Sequence, residues 1–188
     1  MQIIFYLNWP QIALMSQKEN ELVDESSLKR TEPVKVILAD DDEEDQELFE
    51  QALEKSGVDA DLTVVDNGEQ LVNNLKDPDV ENPDIIFMDI NMPVKDGKEA
   101  LKEIKKDDEL KDIPTVILST SGNPKEIKET FDAGASLYIA KPHSFKNFIL
   151  FIKKVFSFHW AGLLLRPVWQ RFFLSEKNIK DDAGNAEI

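Results

Sequence analysis

The ten residues Asp84-Ile85-Ile86-Phe87-Met88-Asp89-Ile90-Asn91-Met92-Pro93 decide how this chain is to be understood. An apolar run fit for a buried strand ends on a lone carboxylate, and Asn-Met-Pro follows at once. Acids are rarely buried, so simple solvation of a strand end suffices unless other segments bring partners to the same place.

Working outward, short apolar or β-branched runs alternate with helical-period segments five times from Val34 onward. VKVILA (34–39) precedes an amphipathic stretch carrying Leu48, Phe49, Ala52 and Leu53, which stops at Ser56-Gly57. DLTVV (61–65) leads through Asn67-Gly68 to Leu71, Val72 and Leu75, and DIIFMD (84–89) leads to Ala100, Leu101 and Ile104. PTVILS (114–119) is followed by Asn123-Pro124, an N-cap with proline in the first helical position, and then by Ile127 and Phe131. SLYIAK (136–141) precedes a helix opening at Ser144. Its Phe145, Phe148, Ile149, Ile152, Val155 and Phe156 share one stripe, which leaves Leu150, Phe151 and Phe158 off it.

Strand and helix in alternation predict an α/β protein, a doubly wound parallel sheet with helices on both faces. The strands read as unbroken apolar runs, as strands covered on both sides do. Such sheets bind ligands just beyond the carboxyl ends of their strands. There the chain places Asp40, Asp41 and Asp42 after the first strand and Asp89 and Asn91 after the third. Ser119-Thr120 closes the fourth and Lys141-Pro142 the fifth, while the second adds only Asp66, at the periphery.

Crowded carboxylates must take up a proton or bind a cation. Hard oxygens suit Mg²⁺, which keeps several waters and accepts a couple of carboxylates plus a phosphate oxygen. A carboxylate nucleophile, a divalent cation, the Lys141 ammonium and the Ser119 hydroxyl are what phosphoryl transfer requires. Asp89, on the middle strand, is the natural acceptor, since an ordinary aspartate is already ionised at neutral pH and needs no general base.

ILADDD, FMDINMPVKDG, VILSTS and YIAKP, in this order and spacing, make the stretch from about Val34 to Phe158 resemble the receiver domain of two-component response regulators. It is similar to the stand-alone chemotaxis response regulator and to receivers that serve phytochrome-like sensors. The resemblance implies a flavodoxin-like (βα)5 fold with strand order 2-1-3-4-5. It implies that Asp89 is the phosphoacceptor, with Asp40 and Asp41 the acidic pair beside it, Asp41 as the direct Mg²⁺ ligand and Asp40 acting largely through water. Asn91 would offer its backbone carbonyl to the metal. Ser119 matches the hydroxyl position, Lys141 the lysine, with a cis bond to Pro142, and Tyr138 the aromatic switch position. Phosphorylation would then be a signal, read on the face made by helix four, strand five and helix five. Helix four has the thinnest apolar stripe and should be the least firmly held element.

The expected partners are a sensor histidine kinase or phosphotransfer protein, with a homodimer through that face or through the apolar C-terminal tail. An enzyme acting on outside substrates is not expected: the dehalogenase-type phosphatases carry a second Asp two residues after the nucleophile, where this chain has Asn91. The alternative is a pseudo-receiver, a binding module that is never phosphorylated. Asp42, Glu43, Glu44 and Asp45 read as the acidic start of the first helix, and no catalytic role is expected of the last three. His143 and His159 have no partners that would make them functional.

The net charge of −15 over 188 residues disfavours nucleic acid, and the absence of cysteine excludes disulfides and thiolate chemistry and fits a reducing, cytoplasmic setting. Three segments follow: an N-terminal extension (1–33), the receiver-like domain (34–158) and a tail (159–188), apolar at first, with a disordered acidic end. Residues 1–17 carry no charge and are too short and too proline-interrupted for a membrane span. They stand as an interfacial segment, as an element packed on the domain or, the favoured view, as sequence upstream of a start at Met15. The tail, rich in Trp and Leu up to Phe173, is expected to fold back over the last helix or to meet a partner.

Overall fold

Both faces of the sheet are covered, which is why its inner strands carry apolar residues without alternation. The structure is a computed structural model and describes residues 32–160 and 168–177. The elements are β1 (Val34–Ala39), α1 (Glu43–Ser56), β2 (Ala60–Val65), α2 (Gly68–Leu75), β3 (Ile85–Asp89) and α3 (Gly97–Lys106). They continue with β4 (Thr115–Ser119), α4 (Pro124–Asp132), β5 (Leu137–Ala140), α5 (Phe145–Trp160), a 3₁₀ turn (Trp169–Arg171) and β6 (Phe173–Leu174). All strands run parallel in the order β2-β1-β3-β4-β5-β6. The flavodoxin-like order 2-1-3-4-5 is therefore present, with one short strand added at the β5 edge. The extension 1–31 and the tail's 161–167 and 178–188 lie outside the described residues.

Successive strand residues point to opposite faces and build two apolar layers. Val36, Leu38, Phe87 and Leu118 meet Phe49 of α1 and Phe148, Phe151 and Val155 of α5 on one side. Ile37, Met88 and Ile117 meet Leu71 of α2, Leu101 of α3 and Ile127 of α4 on the other. Among the described residues, no helix is long and apolar enough to cross a membrane.

Two expectations about the end of the chain need correction. The buried face of α5 is Phe148, Phe151, Ile152, Val155, Phe156 and Phe158, while Phe145 and Ile149 are only half-buried. The stripe is phased three residues later than expected, because Phe148-Phe151-Ile152-Val155 satisfies the same i, i+3, i+4, i+7 spacing. The described part of the tail runs along the edge of β5 and meets α5 through Leu174, which shares its apolar layer, and through Glu176. Phe173 pairs with Tyr138 and Leu174 with Ile139, adding a parallel strand beside β5. Phe172 is buried against Phe131 of α4, ring centroids 4.9 Å apart, with Trp169 packed edge-on to the same ring. An open sheet edge and a bare aromatic on α4 are thus covered together. Glu176 anchors the segment by accepting the Asn147 side-chain amide at 2.8 Å.

Candidate functional site

Strand register brings the sequence-predicted residues to one rim. Ala39 is level with Met88, Asp89 with Leu118, and Ser119 with Ala140. One step beyond these pairs lie Asp40 and Lys141, and the Lys141 N–H donates to the Ser119 carbonyl at 2.7 Å. The loop after β3 is held close by glycine: Gly97 N–H donates to Ile90 at 2.9 Å. A Cβ at Gly97 would strike the Asp89 carbonyl oxygen and lie 3.0 Å from the Ile90 Cα. The same loop bends sharply at Val94, whose φ of +67° is unusual for a β-branched residue. It closes a γ-turn in which Lys95 N–H donates to the Pro93 carbonyl at 2.8 Å.

The Lys141 ammonium is the centre of the site. It donates to Asp40 at 2.8 Å and to Asp45 at 2.7 Å, and it stands 3.0 Å from Asp89 Oδ1. The other Asp89 oxygen accepts the Asn91 N–H at 2.6 Å. Asp40 Oδ1 accepts the Asp42 N–H at 3.2 Å, and Gln46 holds the Asp40 carbonyl at 2.6 Å. Asp40 and Asp89 are nearly buried, at 2% and 7% exposure, whereas Asp41 and Asn91 are exposed.

Burial disfavours the charged forms at both ends of this cluster. It raises the Asp40 carboxyl above the ordinary aspartate value, although the Lys141 hydrogen bond and charge pull the other way. For Lys141, burial is outweighed by hydrogen bonds to Asp40 and Asp45 and by the Asp89 charge, so its pKa lies above the lysine norm. The ammonium is therefore fixed at any physiological pH. A cleft of about 400 Å³ opens beside it, lined among others by Asp45, Leu48, His143, Phe148 and Glu176.

Ser119 and Tyr138 form a second cluster with a residue the sequence did not single out. Ser119, fully buried, donates its hydroxyl to Glu126 Oε1 at 3.3 Å and accepts the Ser121 N–H at 3.1 Å. The Tyr138 hydroxyl lies 2.6 Å from the same Glu126 oxygen and 2.8 Å from the Ser121 carbonyl. Its ring is wholly buried, with Phe172 and Phe173 against it, and burial followed by the Glu126 contact pushes the phenol above its ordinary pKa. Asp45 is the other residue hidden in the sequence: it belongs to the acidic start of α1, yet its carboxylate accepts from the Lys141 ammonium at 2.7 Å. The Lys141–Pro142 bond is trans, since no cis peptide occurs among the described residues; trans is the lower-energy form by roughly 0.5–1 kcal/mol.

Among the described residues, no three His or acidic side chains are grouped so that they alone could hold a metal ion. The donors at hand are Asp40 and Asp89, two of the three carboxylates gathered by Lys141, with an exposed neighbour in Asp41 and backbone oxygen. That open, all-oxygen set fits a hydrated hard cation such as Mg²⁺.

A family model for the response regulator receiver domain matches residues 36–153. Response regulator Rcp1 of Synechocystis sp. is 31% identical over 139 residues, covering 72% of this chain and 94% of that protein. Chemotaxis protein CheY of Halobacterium salinarum is 37% identical over 107 residues, 57% of this chain and 83% of that one. The crystal structure of the phosphorylated cyanobacterial phytochrome response regulator RcpA superposes with a TM-score of 0.64 at 33% identity, covering 69% of this chain and 96% of that one.

Proposed function

This chain belongs to the response regulator receiver family of two-component signalling, and from that premise we propose that it takes a phosphoryl group onto Asp89. The observation that carries this is the Lys141 ammonium, which gathers Asp40 and Asp89 at 2.8 and 3.0 Å on the carboxyl rim of the sheet. A donor phosphohistidine, on a sensor histidine kinase or phosphotransfer protein, would give up its phosphorus to an Asp89 oxygen. The P–O bond forms as the P–N bond breaks, and the imidazole nitrogen keeps the electron pair and takes up a proton. Lys141 orients Asp89 and meets the incoming negative charge, and the Asn91 N–H steadies the second carboxylate oxygen. Asp40, Asp41, Asp89 and the Asn91 carbonyl would hold a Mg²⁺ ion, which when bound neutralises phosphoryl oxygens. Ser119 supplies a hydroxyl donor from the neighbouring strand.

The signal is read on α4 and the loop before it, which lead to β5 and α5. Only Ile127 and Thr130 of α4 are buried, and the tail residues Phe172 and Trp169 hold its Phe131, so the freedom to move lies at its first turn. Tyr138 is pinned inward by Phe172 and Phe173, and the outer edge of β5 is occupied by β6. Readout on this chain therefore falls on movement of the β4–α4 loop rather than on an outward swing of the ring. Intact-mass analysis after incubation with acetyl phosphate and Mg²⁺ tests the proposal. One added phosphoryl group, absent in Asp89→Asn and lost with chelator, is expected. No adduct would make the chain a phosphorylation-independent binding module.

A further inference from the structure

We infer that Glu126 is a positioning residue that ties the Ser119 hydroxyl to the Tyr138 hydroxyl and holds Ser119 back until a phosphoryl group competes for it. The inference rests on the receiver reading above but concerns a residue which that reading does not need. One carboxylate oxygen, Glu126 Oε1, accepts from both hydroxyls, at 3.3 Å from Ser119 and 2.6 Å from Tyr138. Its other oxygen faces the Lys98 ammonium of α3 at 3.8 Å. The carboxylate thus sits between three elements: the end of β4, the ring on β5 and the helix after β3.

Proton counting makes this arrangement bistable. A serine hydroxyl and a phenol each have a single proton to give. The Tyr138 proton is contested by Glu126 and by the Ser121 carbonyl, 2.8 Å away. The Ser119 proton is shared between Glu126 and the Tyr138 phenol, which it also faces, whereas phosphoryl transfer needs it pointed towards Asp89. A phosphoryl group on Asp89 offers Ser119 a charged acceptor of comparable strength. When Ser119 turns to it, Glu126 keeps only the tyrosine, and α4 loses one of the bonds that hold its first turn to β4. Modification at Asp89 is thereby felt at Tyr138 and at the start of α4 without any direct contact between them.

The test uses the two tyrosines of the chain, Tyr6 and Tyr138. Fluorotyrosine incorporated into the Tyr6→Phe background leaves a single fluorine resonance, from Tyr138. In the unmodified protein, Ser119→Ala should move that resonance, and in a Glu126→Ala background it should move it less, leaving only the direct effect of the serine hydroxyl on the phenol. Beryllofluoride with Mg²⁺, as phosphoryl mimic, should move the resonance more in the parent protein than in Glu126→Ala. Glu126→Ala should bind the mimic about 3- to 10-fold more tightly, because one hydrogen bond no longer has to be broken. Glu126→Gln, which keeps the acceptor oxygen and loses the charge, should fall between, and thermal melts separate these effects from simple loss of fold. Equal beryllofluoride affinity and equal fluorine response in the parent and Glu126→Ala overturn the inference alone. No mimic binding and no acetyl phosphate adduct in the parent overturn the receiver reading, and this inference with it.

Discussion

Replacing Lys141 by methionine leaves three carboxylates without their shared cation. Two oxygens held by one nitrogen at 2.8 and 3.0 Å lie within about 6 Å of each other, and Asp40 and Asp89 are nearly buried. At an effective dielectric constant of about 20, each ion pair is worth ~6 kcal/mol gross, and the repulsion exposed by its loss ~3 kcal/mol. Much of that attraction only repays desolvation, so the expected net loss is the ~3–5 kcal/mol seen when one partner of a buried pair is removed. Asp45, whose side chain is 38% exposed, adds little to it. Urea unfolding at neutral pH with chelator measures the difference. Millimolar Mg²⁺ should recover part of the loss and should stabilise the variant more than the parent, because metal and ammonium neutralise the same oxygens. Acidification to about pH 5 should also narrow the gap. Burial already raises Asp40, so without Lys141 the folded state binds more protons than the unfolded one and gains stability as pH falls. In the parent, Lys141 is raised on folding, so its contribution is complete at neutral pH and is lost only in strong alkali. A loss under about 1 kcal/mol, indifferent to Mg²⁺ and pH, would refute the ion-pair cluster as the organiser of the site.

Val94→Asn should stabilise the protein by about 1 kcal/mol in the same unfolding assay, since asparagine tolerates the left-handed backbone that valine adopts at φ +67° with its side chain exposed. Gly97→Ala should abolish acetyl phosphate labelling and lower the melting temperature, because its Cβ collides with the backbone of Asp89 and Ile90 that carries the acceptor. Burial lowers Lys105 from 10.5 to about 8, so the unfolded chain binds the extra proton between those pH values. Stability should therefore rise with pH across that window in the parent, and the rise should vanish in Lys105→Met.

The fold was legible because each inner strand is an apolar run, broken only by Lys35 near the start of β1, and is closed by a polar residue at the rim, a pattern that survives without tertiary information. Register is what turned those separate strand ends into a cluster, and Asp40, Asp89 and Lys141 meet because Ala39, Met88, Leu118 and Ala140 are level or nearly so across the sheet. The mis-phased face of α5 has a different cause. Where ten of a helix's sixteen positions are apolar, five of them consecutive from Phe148 to Ile152, periodicity fits more than one face, and only the partners in the core decide. The tail escaped for a related reason: two paired residues, Phe173 and Leu174, have no strand signature of their own, and the vacant edge of β5 recruits them.

Asp45 and Glu126 were hidden by their helices rather than by the sheet. Each stands third in a helix that begins at the rim, after the N-caps Asp42 and Asn123. Side chains on a helix lean towards its N-terminus, so an acid there reaches back over the cap. It would ordinarily bind the N–H of the cap residue itself. Here those N–H groups are already taken, Asp42 by Asp40 at 3.2 Å and Asn123 by the Ser121 hydroxyl at 3.1 Å. The third-position acids are thereby released towards Lys141 and towards Ser119 and Tyr138. The signal is a spacing: Asp40-x-Asp42-x-x-Asp45 and Ser121-x-Asn123-x-x-Glu126 repeat one pattern. Helix α3 supplies the control. Its cap is Asp96 and its third residue Glu99, but the residue two before the cap is Val94, which has no side-chain acceptor, and Glu99 stays exposed. Glu99→Gln should accordingly leave beryllofluoride affinity unchanged where Glu126→Gln alters it. An equal effect from both would mean that surface charge, not the released carboxylate, is what the site feels.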